Sequence, residues 1–208
     1  MKILKIQKNK IYLEDNNEVI DISPDIKSMF SLKEGDDISI KYDDISYEAA
    51  LAKGLFLLSI KDRTKKNLQN KLNEKFINKK MVDKAVDKLE QLGYVNDFDY
   101  AINFIRNSKY GYQRIVAELM SKGLTRNTIE EAYLIIEEAD DIDNKKLEKA
   151  IMKSNKKEEK KLIEYLLRQG FKLDKIFAKL KELKDVEWKR LNEKRGDIWL
   201  EQYGIILY

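Results

Sequence analysis

The chain of 208 residues contains no histidine and no cysteine, so its chemically active side chains are carboxylates, lysines, tyrosines and hydroxyls. This composition excludes disulfide bonds, thiolate nucleophiles, most zinc sites and the usual general base of enzymes. The sequence also lacks a glycine-rich loop of the kind that cradles phosphates. An enzyme that acts through carboxylates and lysines remains one alternative. We predict instead a non-enzymatic protein with no metal and no cofactor.

Lysines are the best candidates for binding residues, because they recur in groups at helical spacing. The two groups are Lys65, Lys66, Lys71 and Lys75, and Lys156, Lys157, Lys160 and Lys161. Residues three or four apart share one face of a helix, so each group would present several ammonium groups together. Such a face would bind phosphates or an acidic protein groove. An ordinary solvated helix face is the alternative interpretation.

Two other groups of side chains have both a chemical and a structural interpretation. An acidic run could hold a divalent cation, but it lacks the spacing and the glycine of a calcium loop, so we predict a solvated or helix-capping linker: Glu137, Glu138, Asp140, Asp141 and Asp143. Four aromatic side chains could stack on nucleic-acid bases if exposed, but their helical spacing favours the core: Tyr110, Tyr112, Tyr133 and Phe171.

A repeat of 47 residues organises the part of the chain that carries these side chains. Leu72, Leu119 and Leu166 are 47 residues apart. Four more columns follow without gaps: Leu68, Ile115 and Leu162; Val82, Ile129 and Ile176; Leu89, Ile136 and Leu183; Leu57, Phe104 and Ile151. A fixed period of this length is typical of stacked helical units. We predict three helices per unit, beginning with residues 49–60, and helix caps at Thr64, at Asn96 or Asp97, and at Thr125, Asn127 and Asp174.

The two ends of the chain differ from the helical repeats. Alternating apolar residues predict short strands over residues 2–7, 10–14, 18–22 and 37–42. Ser23 followed by Pro24 predicts a short helix up to residue 30. The apolar tail at the other end would be costly to expose, so we predict that it packs on the fold or forms an interface.

These patterns predict a mainly α protein, in which three tandem three-helix repeats form an elongated curved array after a small β-rich N-terminal module. The predicted segments are a module of residues 1–46, repeats of residues 47–97, 98–144 and 145–195, and a tail of residues 196–208. The successive 47-residue units starting at residue 51 carry net charges of +5, −4 and +8, within a total of +4. Two basic units flanking an acidic one indicate a polarised surface that would steer partners.

Three short motifs occur in order within the helical region. Residues 63–72 read Arg-Thr-Lys-Lys-Asn-Leu-Gln-Asn-Lys-Leu, residues 93–101 read Gly-Tyr-Val-Asn-Asp-Phe-Asp-Tyr-Ala, and residues 115–123 read Ile-Val-Ala-Glu-Leu-Met-Ser-Lys-Gly. Together they resemble the RecX family, regulators of the RecA recombinase, over about residues 47–190. The sequence departs from the family pattern at Asn67, where glutamate is frequent, and at Asn96, where aspartate is common. Within the middle motif, Gly93 would end a helix and Tyr94 would pack in the bend between repeats.

The resemblance implies a negative modulator that binds RecA, or the RecA filament on single-stranded DNA, and inhibits filament extension, ATP hydrolysis and strand exchange. We predict eight contact residues: Lys65, Lys66, Lys71, Arg106, Arg114, Lys122, Lys160 and Lys161. Direct binding to DNA would be weak. The alternative is a general single-stranded nucleic-acid-binding helical-repeat protein, which would affect recombination only by competing for DNA.

The sequence also predicts where the protein acts and in what state. Residues 1–4 lead directly into an alternating pattern without an apolar signal segment, and no stretch is long enough to span a bilayer. We therefore expect a soluble, cytoplasmic monomer that does not contact a membrane.

Overall fold

The computed structural model describes residues 1–15, 18–154 and 158–185, with only the backbone for residues 137–140. Within these residues the chain is mainly helical and carries a small antiparallel sheet at its N-terminal end. This confirms the predicted mainly α class with a β-rich N-terminal module. Lys156, Lys157 and the apolar tail of residues 196–208 lie outside the described residues, as do the side chains of Glu137, Glu138 and Asp140.

The sheet consists of three antiparallel strands in sequence order: β1 (Ile3–Gln7), β2 (Lys10–Leu13) and β3 (Val19–Asp21). Ile11 is paired with Ile6 on one side and with Ile20 on the other, so the register brings apolar residues together. Ile11 and Ile20 are fully buried. The alternating pattern therefore correctly predicted these three strands.

The predicted strand over residues 37–42 is wrong. Asp37 forms an isolated bridge with Lys2, and the chain then turns through a hydrogen bond from the Lys41 N–H to the Ile38 carbonyl, 2.9 Å long. Ile38 is buried but Ile40 is 97% exposed, so the apolar alternation does not continue along a sheet face. A helix starts immediately afterwards, at residue 42.

Ten helices are found in the described residues. Ser23 caps the first of them, as predicted, by accepting a hydrogen bond from the N–H of Ile26. The helices are α1 (Pro24–Met29), α2 (Tyr42–Ile60), α3 (Lys65–Asn73), α4 (Lys79–Gln91), α5 (Asp97–Asn107), α6 (Tyr112–Ser121), α7 (Arg126–Asp140), α8 (Ile142–Met152), α9 (Glu159–Arg168) and α10 (residues 173–185).

The first repeat helix begins seven residues earlier than predicted. Asp43 and Asp44 lie in its first turn, where carboxylates interact favourably with the positive end of the helix dipole. The predicted boundary of the N-terminal module at residue 46 falls inside this helix, and the division into repeats stays a prediction.

Most side chains of the repeat columns lie in the core, whereas Leu162, Leu183 and the column of Leu57, Phe104 and Ile151 are half-buried. Leu72, Leu119 and Leu166 have no exposed area, and Leu68 and Ile115 are equally buried. Fully burying one leucine side chain stabilises the fold by about 1.5–3 kcal/mol. Gly93, Gly123 and Gly170 adopt positive φ angles after α4, α6 and α9, as expected for glycines that end helices.

Two compact units divide the chain. Among the described residues, the first contains residues 1–104 and 119–132, and the second contains residues 105–118, 133–154 and 158–185. In the first unit the buried carboxylate of Glu18 accepts hydrogen bonds from the Tyr42 hydroxyl, at 2.7 Å, and from the Ile77 N–H, at 3.3 Å. These bonds join the sheet to the helices. In the second unit Leu147, Leu166 and Phe171 pack in one cluster.

Candidate functional site

The predicted first and second repeats meet at a joint formed by the motifs of residues 63–72 and 115–123. The hydroxyl of Thr64 caps α3 by accepting from the Asn67 N–H, at 3.1 Å, and donates to the carbonyl of Lys122, at 2.7 Å. The stem of Lys66 lies against the Cα of Gly123, where a Cβ would collide with it. The joint therefore places the stem of one predicted contact residue, Lys66, against the backbone that follows another, Lys122.

The same joint recurs 47 residues later, within the second unit. The N–H of Gly111 donates to the carbonyl of Gln169, and the N–H of Gln113 donates to that of Gly170, each at 3.0 Å. Gly111 and Gln169 follow Thr64 and Lys122 by 47 positions each. The 47-residue period is therefore a period of tertiary contacts as well as of core side chains.

Arg114 lies in this second joint. Its guanidinium carbon is 3.6 Å from the centre of the Tyr110 ring, and its Nε is 3.2 Å from a carboxylate oxygen of Glu118. Its backbone passes so close to Gly170 that an added Cβ there would lie 2.5 Å from the Arg114 nitrogen. Arg114, a predicted contact residue, therefore already interacts with Tyr110 and Glu118 within the protein, although its side chain remains 39% exposed.

Lys65 forms ion pairs within the first unit. Its ammonium lies 2.8 Å from Asp87 and 2.7 Å from Glu90, and the hydrogen bonds to Asp87 and then Glu90 raise its pKa. Its backbone N–H donates to Asp97 at 2.8 Å. Burial raises the pKa of the Asp97 carboxyl, and this N–H acts in the opposite direction.

The middle motif caps α5 as predicted, but the packing predicted for its tyrosine is wrong. Of the two predicted candidates, the side chain of Asn96 caps α5, by accepting from the N–H groups of Phe98 and Asp99. Tyr94 does not pack in the bend between repeats, because it is 59% exposed.

Two later cap predictions also need correction. Thr125 caps α7 as predicted, but Asn127 lies inside that helix and donates to Glu131. Asp174 lies inside α10, which begins one residue before it.

The remaining predicted lysines are exposed on separate helices. Lys71 on α3 lies 2.9 Å from Glu74, and Lys161 on α9 lies 3.0 Å from Glu158. Lys160 is exposed beside Lys161. Exposed pairs of this kind contribute at most about 1 kcal/mol, so they would exchange readily for a partner's anionic groups.

Arg106, by contrast, belongs to a cleft in the second unit. The cleft has a volume of about 530 Å³ and lies between the end of α5, the following loop, α8 and the end of α9. Its six cationic lining residues are Arg106, Lys109, Lys145, Lys146, Lys149 and Lys153, and its lining contains no carboxylate among the described residues. We call this cavity the basic cleft.

Sequence reasoning identified only one residue of the basic cleft. Lys145, Lys149 and Lys153 are four residues apart along α8, a spacing that places them on one helix face. That spacing was the available signal. The spacing alone does not reveal the cleft, because the cleft combines the whole length of α8 with the ends of α5 and α9.

The aromatic residues divide between the core and half-buried positions. Tyr133 and Phe171 are buried, as expected for core residues. Tyr112 is half-buried and meets Tyr133 edge to face, with ring centres 4.7 Å apart. Tyr110 is also half-buried, under the guanidinium of Arg114.

The fold and these surfaces define a class: a mainly helical repeat protein whose distinctive exposed chemistry is cationic. None of the helices in the described part of the chain is long and apolar enough to cross a membrane. No three acidic side chains among the described residues come together to hold a metal ion.

Comparison with known proteins identifies the family, although no family model matches the chain. The regulatory protein RecX of Clostridioides difficile is 29% identical over 203 residues, which cover 87% of this chain and 95% of that protein. The regulatory protein RecX of Caldanaerobacter subterraneus subsp. tengcongensis is 33% identical over 159 residues, 71% of this chain and 80% of that protein. A crystal structure of regulatory protein RecX shares the fold, with a TM-score of 0.60 at 22% identity over 87% of this chain and 98% of that chain. The chain belongs to the RecX family.

Proposed function

We propose that this protein is a non-enzymatic regulator of the RecA recombinase in the cytoplasm. It binds RecA, or the RecA filament on single-stranded DNA, and inhibits filament extension, ATP hydrolysis and strand exchange. The observation that carries the proposal is the similarity to proteins named regulatory protein RecX, which extends over most of this chain. Two of the motifs that carry the resemblance, residues 63–72 and 115–123, also form the joint between the first two predicted repeats.

The exposed cations are the groups with which the protein would meet its partner. Lys66 and Lys122 belong to the first joint, and Arg106, Lys160 and Lys161 lie in the second unit. Positive groups steer association with a negatively charged filament and fix its register. The intramolecular ion pairs of Lys65 make it the predicted contact with the largest structural role.

A RecA assay tests this function. Adding the purified protein to RecA on single-stranded DNA should lower both the rate of ATP hydrolysis and the yield of strand exchange. The double variant Lys66→Gln, Lys122→Gln should weaken this inhibition at least about tenfold, because the loss of two contact charges costs about 1.4 kcal/mol or more. The matched control is Lys80→Gln, Lys84→Gln, which removes two exposed lysines from α4.

Two outcomes would contradict the proposal. One is unchanged ATP hydrolysis and strand exchange at a stoichiometric excess of the protein. The other is stimulation of either activity. An equal loss of inhibition in the control variant would instead refute the assignment of Lys66 and Lys122 as contacts.

A further inference from the structure

We propose that the basic cleft of the second unit binds the sugar-phosphate backbone of single-stranded nucleic acid. This inference deepens the proposed function, on which its setting in recombination rests, by giving the protein its own site for the strand. It concerns binding by the protein alone.

The charge balance of the cleft favours an anionic ligand. Arg106, Lys109, Lys149 and Lys153 form no ion pair with a carboxylate among the described residues. The helices α5, α8 and α9 end at the cleft, and each helix end contributes roughly half a negative charge. Three such ends offset only part of four full positive charges.

The two faces of α8 separate the charges. The carboxylates of Asp143 and Glu148 lie close to the ammonium groups of Lys175 and Lys179, at 3.7 and 3.3 Å, outside the cleft lining. Lys149 and Lys153 lie on the cleft side. The acidic residues of this helix are thus engaged elsewhere and leave a cationic stripe in the cleft.

The spacing of the stripe suits one nucleic-acid strand. Residues four apart on a helix are separated by a rise of about 6 Å, so Lys145, Lys149 and Lys153 form a row at this interval. This interval is close to the separation of neighbouring phosphates along a single strand. Lys149 and Lys153 can therefore meet successive phosphates.

The other lining residues suit nucleotides better than an acidic peptide. Tyr165 offers an aromatic surface on which a base can stack, and the side-chain amides of Asn107 and Gln169 can hydrogen-bond to base edges. The volume of about 530 Å³ is that of a small-ligand pocket, which accommodates one or two nucleotides and not a duplex.

A buried lysine fixes the walls of the cleft. Lys146 on α8 is only 7% exposed, and its ammonium donates a hydrogen bond to the carbonyl of Ile105 near the end of α5. A cation at the C-terminal end of a helix is stabilising. This contact holds α8 against α5, so the cleft exists before a strand binds.

The test measures binding of the full-length protein to a fluorescently labelled oligothymidylate by anisotropy, without RecA, at several salt concentrations. Lys149→Gln, Lys153→Gln should bind at least about tenfold more weakly, and its slope of log K against log salt should be smaller by about 1.4, as expected for two lost phosphate contacts on a single strand. Lys80→Gln, Lys84→Gln removes the same charge at the same spacing from α4 and should bind like the unmodified protein.

Three results would overturn the inference. The first is unchanged binding by the cleft variant, and the second is an equal loss in the α4 control. The third is displacement of the oligonucleotide by polyglutamate as effectively as by unlabelled oligothymidylate, since the cleft would then be a site for acidic protein. Because RecA is absent, each result leaves the proposed inhibition of RecA to be decided by its own assay.

Discussion

Asp97 shows how one side chain can stabilise two helices at once. It lies in the first turn of α5, where a carboxylate is favourable, and it also accepts the hydrogen bond of the first N–H of α3. The neighbouring Asn96 supplies the cap of α5 itself. Asp97 therefore serves as a cap for a helix more than thirty residues earlier in the chain.

We expect Asp97→Ala to lower the free energy of unfolding by about 1–2 kcal/mol, because the Lys65 N–H loses its acceptor. Asp97→Asn keeps an acceptor oxygen and should cost less. Urea denaturation of the three proteins at neutral pH measures both differences, and equal losses in the two variants would contradict the capping role.

The same carboxyl predicts a dependence on pH. Burial raises the pKa of Asp97 above its ordinary value of 3.8, so the folded state keeps the proton at pH values where the unfolded chain has released it. Ionisation of Asp97 therefore stabilises the fold less than the protonated form does, and the stability of the unmodified protein relative to Asp97→Asn should increase as pH falls from neutral toward 3.8. Denaturation curves measured across this pH range give the difference in stability between the two proteins. A difference that stays constant, or that shrinks as pH falls, would contradict the raised pKa of Asp97.

The buried Glu18 predicts a second local effect. Tyr42→Phe removes the hydroxyl that donates to Glu18 at 2.7 Å and should cost about 1–3 kcal/mol, because a buried carboxylate loses a donor. Tyr47→Phe on the same helix is the matched control and should change stability by less than about 0.5 kcal/mol. Thermal unfolding followed by circular dichroism compares them, and similar losses would exclude a specific role for the Tyr42 bond.

At the level of elements, the repeat is defined by contacts between helix ends. Thr64 meets Lys122 in the first unit, and Gly111 meets Gln169 in the second, through the same pair of repeat positions. The two backbone segments approach each other more closely in the second joint than in the first, because Gly111 and Gly170 have no side chains to hold them apart. In the first joint, Thr64 reaches its partner through a side chain.

A series of glycine substitutions tests this geometry. Gly93→Ala introduces a side chain at φ +77° into open space and should cost about 1–2 kcal/mol. Gly170→Ala adds a clash with the backbone of Arg114 and should cost about 1–3 kcal/mol more than Gly93→Ala. Gly123→Ala should fall between them, because the Lys66 Cγ and Cδ can move aside while its Cβ can move only with the backbone of α3. Chemical denaturation gives the order, and equal losses at Gly93 and Gly170 would contradict the close joint.

The sequence predicted most of these elements because core side chains carry a clear period. Leu72, Leu119 and Leu166 could be aligned by their spacing, and each is fully buried. The strand prediction for residues 37–42 is wrong because Ile38 and Ile40 have the alternating spacing of a strand, although only Ile38 faces the core. Short alternations of this kind do not distinguish a strand from a turn.

The contacts at the joints could not be predicted in the same way. The second joint uses the N–H of Gly111 and the carbonyl of Gln169, which every non-proline residue possesses. The basic cleft was similarly hidden, because Arg106 and Lys149 come together only when α5 and α8 pack. Sequence spacing indicates shared faces of one helix but not which helix ends meet.

At the scale of the whole molecule, α6 takes part in both joints. The N-terminal end of this helix lies in the second joint with Gly111 and Gln113, and its C-terminal end leads into Lys122 and Gly123 of the first. Residues of the middle repeat accordingly contribute to both compact units. In repeat proteins, the free energy of unfolding is approximately the sum of the intrinsic stability of each repeat and the interaction energy of each pair of neighbouring repeats. Loss of the middle repeat therefore removes two of these interaction energies.

This connectivity predicts an asymmetry among the three aligned leucines. Each of Leu72→Ala, Leu119→Ala and Leu166→Ala removes a fully buried side chain and should cost about 2–5 kcal/mol locally. Native-state hydrogen exchange should show faster exchange mainly in α3 and α4 for the first variant, and mainly in α8 and α9 for the third. Leu119→Ala should accelerate exchange in α3 and α9 together, because α6 contacts both through its ends. Leu134→Ala on the exposed face of α7 is the control, since that side chain is 62% exposed. If Leu119→Ala affected only one of the two helices, the joints would be energetically independent and the repeat would not couple the two ends of the chain.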